Sequence, residues 1–121
     1  IDWDGVSVAY LSDHQSPVSG EDEGVSIADS VLELAQGVDV LIHDAQYGDD
    51  EYRTRIGWGH SSVADAVSYC NAVEADRLVL FHHEPQHSDD ALEQLEEHAR
   101  ALTAADRSPP LLAREGATID L

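Results

Sequence analysis

The sequence predicts an α/β fold in which helices pack on a largely parallel sheet. Short apolar segments alternate with segments whose apolar residues recur at helical spacing, in the order strand, helix, strand, helix, strand, helix. An acidic or histidine residue stands at or just after the end of each of the three apolar strands. The 121 residues suit a single domain, and a hydrophobic content of 42 % is ordinary for a globular protein with a core.

The first predicted strand covers about 6–11 and is apolar on both faces, which is typical of a buried strand. Residues 2–5 before it, Asp-Trp-Asp-Gly, are typical of a turn. A helix is predicted at about 25–36, and Gly37 follows it in the usual position past a helix end. The apolar residues of this helix recur at helical spacing, namely Ala28, Val31, Leu32 and Ala35.

The alternation continues in the second half of the chain. A strand is predicted at about 38–43, a helix at 62–74 and a further strand at 77–82. Ser62 and Asp65 have the spacing of a capping box at the start of the middle helix. The other predicted elements are a helical turn at 50–53, a helix at 89–105 and a last strand at 111–113 or 117–121.

The chain is strongly acidic, with 25 acidic residues, six arginines and no lysine, for a net charge of −19. Such a field repels phosphate backbones and anionic lipids, which argues against direct nucleic-acid or membrane binding by this chain. We interpret the acidic runs at 21–23, 49–51 and 89–97 as helix starts and exposed faces, and Ser88 as a helix cap. A high-salt source is a hypothesis that fits this composition.

The single cysteine, Cys70, excludes an internal disulfide and a cysteine-rich zinc site. It falls on the apolar face of a predicted helix, where we expect it to be buried. No apolar run reaches the length of a membrane span and no signal peptide is visible, so we expect a cytoplasmic protein. The chain begins at Ile1, and we expect this start to lie partway through a domain.

Polar residues at the strand ends predict a divalent-metal site. Asp13 follows the first strand, Asp44 the second and His82 the third, and His60 follows Gly59 just before a predicted helix. Ligands gather at the carboxyl ends of strands in open α/β sheets, and carboxylate with imidazole is a donor set for such metals. The alternatives are an aspartate that caps a turn, a hydrogen-bonded histidine at the sheet edge and a helix-initiating histidine.

Other aromatic and histidine residues near these motifs have open roles. His83 becomes the ligand if the strand register shifts by one residue, although it would then point to the opposite face. Trp58 either stacks on a base, shields the site from solvent or only packs against the protein. The remaining histidines are expected to be exposed to solvent, namely His14, His43, His87 and His98, and contact with the substrate is the alternative for the first three.

The order of these motifs resembles the C-terminal half of metallo-β-lactamase-fold hydrolases, in their phosphodiesterase branch, which includes ribonuclease Z. The motifs are Ser-Asp after the first strand, Asp-Val-Leu-Ile-His-Asp-Ala at 39–45, Gly-His-Ser-Ser at 59–62 and Leu-Val-Leu-Phe-His-His-Glu-Pro at 78–85. The resemblance covers about residues 6–121. It implies one half of an αββα sandwich, with helices packed on a sheet.

The resemblance also implies roles for four residues. Asp13 would bridge two metal ions, usually zinc and alternatively manganese or iron, and His82 would bind one of them. His60 would act near the scissile phosphate, and Asp44 would orient His60, with aspartate in place of the family's glutamate. The ions would activate a water molecule for attack on a phosphodiester or related bond.

The family's principal metal-binding motif, H-x-H-x-D-H, does not occur in this chain. Residues 1–121 are therefore expected to be a single partial domain that lacks the N-terminal half. The predicted function is a metal-dependent, phosphodiesterase-like hydrolase with little activity as this chain alone, and the alternative is a non-catalytic assembly module. The expected partners are an N-terminal half or a second copy of the chain, and a small-molecule or phosphodiester substrate. The absence of lysine argues against a phospho-acceptor receiver domain.

Overall fold

The fold is a five-stranded sheet with helices, seen in a computed structural model that describes residues 1–15 and 29–120. The strands are β1 (Asp2–Trp3), β2 (Val6–Leu11), β3 (Val40–Asp44), β4 (Arg77–Phe81) and β5 (Leu111–Leu112). The helices are α1 (Asp29–Ala35), α2 (Asp49–Tyr52), α3 (Val63–Ala72) and α4 (Asp89–Leu102). The strands lie in chain order, with β1 antiparallel to β2 and every other neighbouring pair parallel.

The alternation of strands and helices confirms the predicted α/β fold class. The last strand forms at 111–112, the earlier of its two predicted positions. The first helix is described from Asp29 onward, and the beginning of its predicted range lies outside the described residues. Gly37 follows this helix with φ +66°, the left-handed conformation that glycine at a helix end supplies.

The prediction that residues 2–5 form only a turn was incomplete. Asp2 and Trp3 pair with β2 as a short antiparallel strand, and the turn itself is confined to Asp4 and Gly5. Both turn residues have positive φ, 51° and 84°. An Asp-Gly pair in this conformation matches the twist of two antiparallel strands, which explains why a hairpin forms here.

The three longer helices, α1, α3 and α4, pack on one face of the sheet. Alternate strand residues supply the sheet side of this core, namely Ala9, Leu41, Leu78, Leu80 and Leu112. The helices supply small and β-branched residues, namely Ala35, Val63, Ala66, Val67 and Ala99. Cys70 of α3 is buried in the same core, as predicted. Small side chains on the helices allow them to approach the sheet closely.

The opposite face of the sheet carries a row of four apolar residues in register, Tyr10, Ile42, Val79 and Leu111. None of them belongs to the core between sheet and helices. Tyr10 is 52 % exposed, so the expectation that β2 is buried on both faces was wrong. Its ring packs edge-on against Phe81 at a centroid distance of 5.5 Å.

The acidic runs lie where they were predicted, as far as they are described. The run at 49–51 forms the first turn of α2, and the run at 89–97 begins α4. Ser88 caps α4 by accepting a hydrogen bond from the backbone of Ala91 at 3.3 Å. The run at 21–23 lies outside the described residues. Within the ranges that the structure covers, no helix has the length and apolar character to cross a membrane.

Candidate metal centre

Asp13, His60 and His82 converge at the carboxyl edge of the sheet. Each contributes one potential ligand atom, and the three atoms lie within 4.8 Å of one another. Asp13 Oδ1 is 3.6 Å from His82 Nε2, and the rings of His60 and His82 stack with their centroids 4.8 Å apart. The structure therefore brings together both residues predicted as metal ligands and the histidine predicted to act beside them.

The backbone at both predicted ligands is unusual. Asp13 and His82 lie in the left-handed region, with φ of 50° and 61°, which few residues other than glycine adopt. Asp13 lies two residues beyond the end of β2, and His82 directly follows β4. Residues held in such conformations collect at functional sites, where the surrounding structure maintains them. The conformation therefore adds a second, backbone-level observation to the convergence of side chains.

His83 does not join this cluster, so the structure does not adopt the shifted register that would have made it the ligand. Its side chain is half-buried, and burial is the main cause that lowers its pKa. Its Nε2 atom is buried without a hydrogen-bond partner among the described residues.

A hydrogen bond to Asp44 orients the ring of His60. The Nδ1 atom of His60 lies 2.7 Å from Asp44 Oδ2, and the Asp44 side chain is completely buried. Its other oxygen, Oδ1, accepts hydrogen bonds from the backbone of Ser61 at 3.1 Å and of Gln46 at 3.3 Å. With Nδ1 engaged as a donor to the carboxylate, Nε2 is the ring nitrogen of His60 that remains available to the cluster.

The loop that carries His60 is attached to the segment after β2. The side-chain oxygen of Gln15 accepts hydrogen bonds from the backbone of Gly57 at 3.1 Å and of Gly59 at 2.9 Å. The Ser61 hydroxyl donates to the carbonyl of His14 at 2.6 Å. These contacts were not predicted from the sequence, because the partners are more than 40 residues apart and no local sequence pattern indicates them.

Helix α3 begins immediately after this loop. Ser62 is its N-cap, and its hydroxyl accepts a hydrogen bond from the backbone of Asp65 at 3.1 Å. The backbone amide of Ser62 in turn donates a hydrogen bond to the Asp65 carboxylate at 3.3 Å, which confirms the predicted capping box. Tyr47 and Ser62 also form a parallel β-bridge, so the start of α3 is held to the segment after β3.

The expectation that His43 is exposed to solvent was wrong. His43 lies inside β3, has no exposed surface and stacks on Tyr69 of α3 at a centroid distance of 5.0 Å. Burial lowers its pKa to about 4, and a 2.6 Å hydrogen bond to the carbonyl of Asp44 opposes this shift. His14 packs edge-on against it at 5.3 Å and is half-buried, and burial lowers the pKa of His14 too. Strand alternation explains the result, since it turns His43 toward the helices.

Two further histidines pair with the acidic run of α2 and are not simply exposed to solvent. His87 Nε2 lies 3.0 Å from both carboxylate oxygens of Glu51, and His98 Nε2 lies 2.7 Å from Asp49 Oδ2. These pairs line a pocket of about 600 Å³ between α2 and α4. The first pair joins α2 to the segment before α4 and the second joins α2 to α4, across 36 and 49 residues of sequence, so no local pattern could predict them.

Trp58 is not part of the core. Its side chain is 66 % exposed, and the guanidinium carbon of Arg55 lies 5.7 Å from its ring. The same guanidinium lies 4.8 Å from the ring of Tyr47. The ring of Trp58 therefore contacts Arg55, while base stacking and shielding of the site remain hypotheses.

The donor set at the cluster suits a divalent metal. Carboxylate and imidazole are ligand types that zinc, manganese and iron accept, and the cluster offers one of each in Asp13 and His82, with the imidazole of His60 beside them. Asp13 is exposed and the two histidines are partly exposed, so the cluster can be reached from solvent. The residues therefore fit such an ion.

Comparisons with known proteins agree with this fold. Residues 1–83 match the family model described as "Beta-lactamase superfamily domain". Ribonuclease Z of Anoxybacillus flavithermus is 30 % identical over 90 residues, which cover 70 % of this chain and 29 % of that protein. Ribonuclease Z of Pyrobaculum islandicum is 39 % identical over 74 residues, 60 % of this chain and 24 % of that protein. The chain thus spans less than a third of the length of these relatives.

Solved structures show the same fold. The metallo-β-lactamase fold protein YhfI from Bacillus subtilis superposes with a TM-score of 0.64 at 20 % identity, over 93 % of this chain and 39 % of that one. A diphosphatase from the PhnP family superposes with a TM-score of 0.57 at 20 % identity, over 96 % of this chain and 36 % of that one. The chain therefore belongs to the metallo-β-lactamase superfamily, in its ribonuclease Z-like branch.

Proposed function

We propose that this chain carries part of the active centre of a metal-dependent hydrolase of the phosphodiesterase type. The observation that carries the proposal is the convergence of Asp13, His60 and His82 within 4.8 Å. Membership of the superfamily supports it, as do the similar ribonuclease Z proteins and the diphosphatase with a similar fold.

Asp13 and His82 are the proposed metal ligands. A bound divalent ion would supply a water molecule of lowered pKa and a positive charge beside the scissile bond. In a complete domain with two ions, Asp13 would help to hold both, because its negative charge offsets the repulsion of the two cations. Zinc is the proposed metal, because it binds both the nitrogen of an imidazole and the oxygen of a carboxylate.

His60 is the proposed group that assists the leaving oxygen. Its Nδ1 atom donates a hydrogen bond to Asp44 Oδ2 at a distance of 2.7 Å between the two atoms. The Nε2 atom, which faces the cluster, can therefore hold or give a proton. Asp44 is the positioning residue, because its buried carboxylate holds the imidazole in one tautomer and orientation. The methylene that aspartate lacks relative to glutamate does not prevent this contact.

The proposed substrate is a small phosphodiester or the terminus of a larger one. The net charge of −19 opposes extensive contact between this chain and a polynucleotide. Any long nucleic-acid substrate would therefore be held by other parts of the protein.

The proposed partner is an N-terminal half of the domain or a second copy of the chain. The row of apolar residues around Tyr10 lies on the sheet face opposite the helices, and Tyr10 is 52 % exposed. A second layer packed on this face would bury it, as two-layer packing of a sheet requires. The same face favours the second candidate function, a non-catalytic module that serves assembly.

The first test is the zinc content of the purified chain after dialysis against zinc and then buffer, compared with the double variant Asp13→Ala/His82→Ala. Asp39→Ala is the matched control, because Asp39 precedes β3 at the opposite edge of the sheet and is bound to Ser7. We expect zinc in the wild type and in the control, and little in the double variant. Hydrolysis of bis(4-nitrophenyl) phosphate is then measured on the zinc-loaded protein.

Zinc that is lost equally from all three proteins would contradict the metal site. A chain that binds no zinc but forms a stable complex through the face of Tyr10 would support the assembly module instead. The variant Tyr10→Lys tests that complex, because a charge on this face should prevent it while the metal cluster stays intact.

A further inference from the structure

Gln15 links the two loops that hold the candidate metal centre. Its side-chain oxygen accepts two hydrogen bonds, from the backbone of Gly57 at 3.1 Å and of Gly59 at 2.9 Å. A carbonyl oxygen has two lone pairs and can accept both at once. The Gln15 nitrogen lies 3.5 Å from the Tyr52 hydroxyl, a weaker contact that leaves the oxygen as the main link.

Each loop carries one functional group close to this link. Asp13 lies two residues before Gln15, and His60 directly follows Gly59. Asp13 and His60 belong to the same cluster of potential ligand atoms, although their sequence numbers differ by 47. The two hydrogen bonds of Gln15 thus bear directly on the distance between the carboxylate and the imidazole.

The residues on both sides of His60 form hydrogen bonds with the segment that contains His14 and Gln15. Gly59 is bound to Gln15 on one side, and on the other the Ser61 hydroxyl is bound to the carbonyl of His14 at 2.6 Å. The segment that follows Asp13 therefore holds the residue before His60 and the residue after it.

The conformation of the Gly57–Gly59 loop turns two backbone amides toward the side-chain oxygen of Gln15. Gly57 and Gly59 have φ of +90° and +93°, a conformation that glycine adopts readily. Their amide groups reach one oxygen, while the intervening amide of Trp58 donates to the carbonyl of Arg55 at 3.1 Å. Without the Gln15 oxygen, two of these three consecutive amides would lose their partner.

We propose that Gln15 is a positioning residue for His60, which sets its imidazole relative to Asp13 through the backbone of the Gly57–Gly59 loop. The proposal rests on the proposed function for the role of His60. Gln15 touches neither metal nor substrate in this scheme. Its removal should misplace the imidazole while the metal ligands Asp13 and His82 remain.

Two substitutions of Gln15 distinguish the effect of its acceptor oxygen from the effect of its side-chain size. Gln15→Met has a similar length and no oxygen, whereas Gln15→Glu keeps an acceptor oxygen for both amides. Gln36→Met is the matched control, because Gln36 is an exposed glutamine after α1 whose side chain donates a hydrogen bond to Glu74 at 3.3 Å, away from the cluster. All proteins are studied as the full chain loaded with zinc.

Three quantities are measured. NMR hydrogen exchange follows the amides of Gly57 and Gly59, imidazole NMR follows the ring of His60, and a competing chelator reports the zinc affinity. In Gln15→Met we expect amide exchange at least about tenfold faster and a shifted or broadened His60 signal, with zinc affinity within about threefold of wild type. Turnover of bis(4-nitrophenyl) phosphate should fall by about 10- to 100-fold with little change in KM. Gln15→Glu should restore all of these values, and Gln36→Met should change none.

The proposal is overturned if Gln15→Met leaves the His60 signal as in wild type, or if Gln15→Glu behaves like Gln15→Met. A mere loss of thermal stability with an unchanged His60 signal is also an overturning result, because it would show a purely structural role. If the wild type binds no zinc and hydrolyses nothing, the proposed function fails. The amide exchange and the His60 ring would then still decide the role of Gln15.

Discussion

At the scale of single residues, Asp44 shows how burial and hydrogen bonding combine at this site. Its carboxylate has no exposed surface, and its partners are the His60 ring and the backbone of Gln46 and Ser61. A buried carboxylate is costly unless such donors compensate for lost hydration. Here the donors are the groups whose position matters for chemistry, so one side chain stabilises the loop and orients the histidine.

We expect Asp44→Asn to lower turnover by about 100-fold, because an amide donor beside His60 no longer holds the imidazole in the same tautomer. The measurement is kcat/KM with bis(4-nitrophenyl) phosphate on zinc-loaded protein. Asp39→Asn is the control, since it removes a hydrogen-bonded carboxylate from the opposite edge of the sheet and should lower stability without lowering turnover. Equal turnover in both variants would contradict the role of Asp44.

His43 gives the protein a pH-dependent stability. Its pKa is about 4 in the fold because burial disfavours the charged ring, and about 6.5 when unfolded. Between these values the unfolded chain binds a proton that the folded chain does not. The free energy of unfolding therefore rises from pH 4 to pH 6.5, by roughly 3 kcal/mol from this group, and is level above that range.

We expect His43→Phe to remove this part of the pH dependence, because phenylalanine keeps a ring to stack on Tyr69 and has no proton to bind. Urea unfolding at several pH values between 4 and 7 measures the slope in both proteins. His14 and Asp44, which interact electrostatically with His43, remain in both proteins, so the difference in slope isolates His43. Parallel curves for the two proteins would show that His43 is not the group responsible.

At the scale of elements, the start of α3 fixes the loop before it. The helix begins two residues after Ser61, and its cap is a reciprocal pair of contacts between Ser62 and Asp65. The bridge from Ser62 to Tyr47 and the hydrogen bond from the Val63 amide to the carbonyl of Tyr47 at 3.0 Å anchor the same point. The position of His60 thus depends on where this helix begins.

We expect Ser62→Ala to lower the free energy of unfolding by about 1 to 2 kcal/mol, because a buried cap loses its hydrogen bonds. Ser88→Ala at the exposed cap of α4 is the comparison and should cost about 1 kcal/mol or less. Urea denaturation of both variants measures the two values. A larger cost at Ser88 would show that burial of the cap does not set its contribution.

At the scale of the whole molecule, charge opposes compactness. A net charge of −19 on 121 residues creates self-repulsion that dissolved salt screens. Ion pairs act in the other direction, but pairs such as Arg53 with Asp50 and Arg114 with Glu93 are largely exposed. Exposed pairs contribute little, so the repulsion should dominate the response to salt.

We therefore expect the free energy of unfolding to rise by about 1 to 2 kcal/mol when sodium chloride increases from 0.05 M to 0.5 M. Urea denaturation at several salt concentrations, at constant pH and without added divalent ions, measures this change. A fall in stability over the same range would show that ion pairs outweigh the repulsion.

The sequence alone determined the order of the elements and the residues at the strand ends. Hydrophobic alternation and helical spacing are local, so β2, β4 and α3 could be placed within a few residues, and with them Asp13, His82 and His60. Parallel pairing then puts the ends of neighbouring strands at one edge, which is why their convergence could be expected.

Only the tertiary structure decided which polar side chains meet across the chain. The burial of His43 depends on the helix that covers β3, and the contact of Gln15 with Gly57 and Gly59 joins segments more than 40 residues apart. The pairing of His87 with Glu51 likewise depends on the packing of α4 beside α2. Side-chain hydrogen bonds form where packing brings donor and acceptor within about 3 Å, and no local sequence pattern specifies that distance.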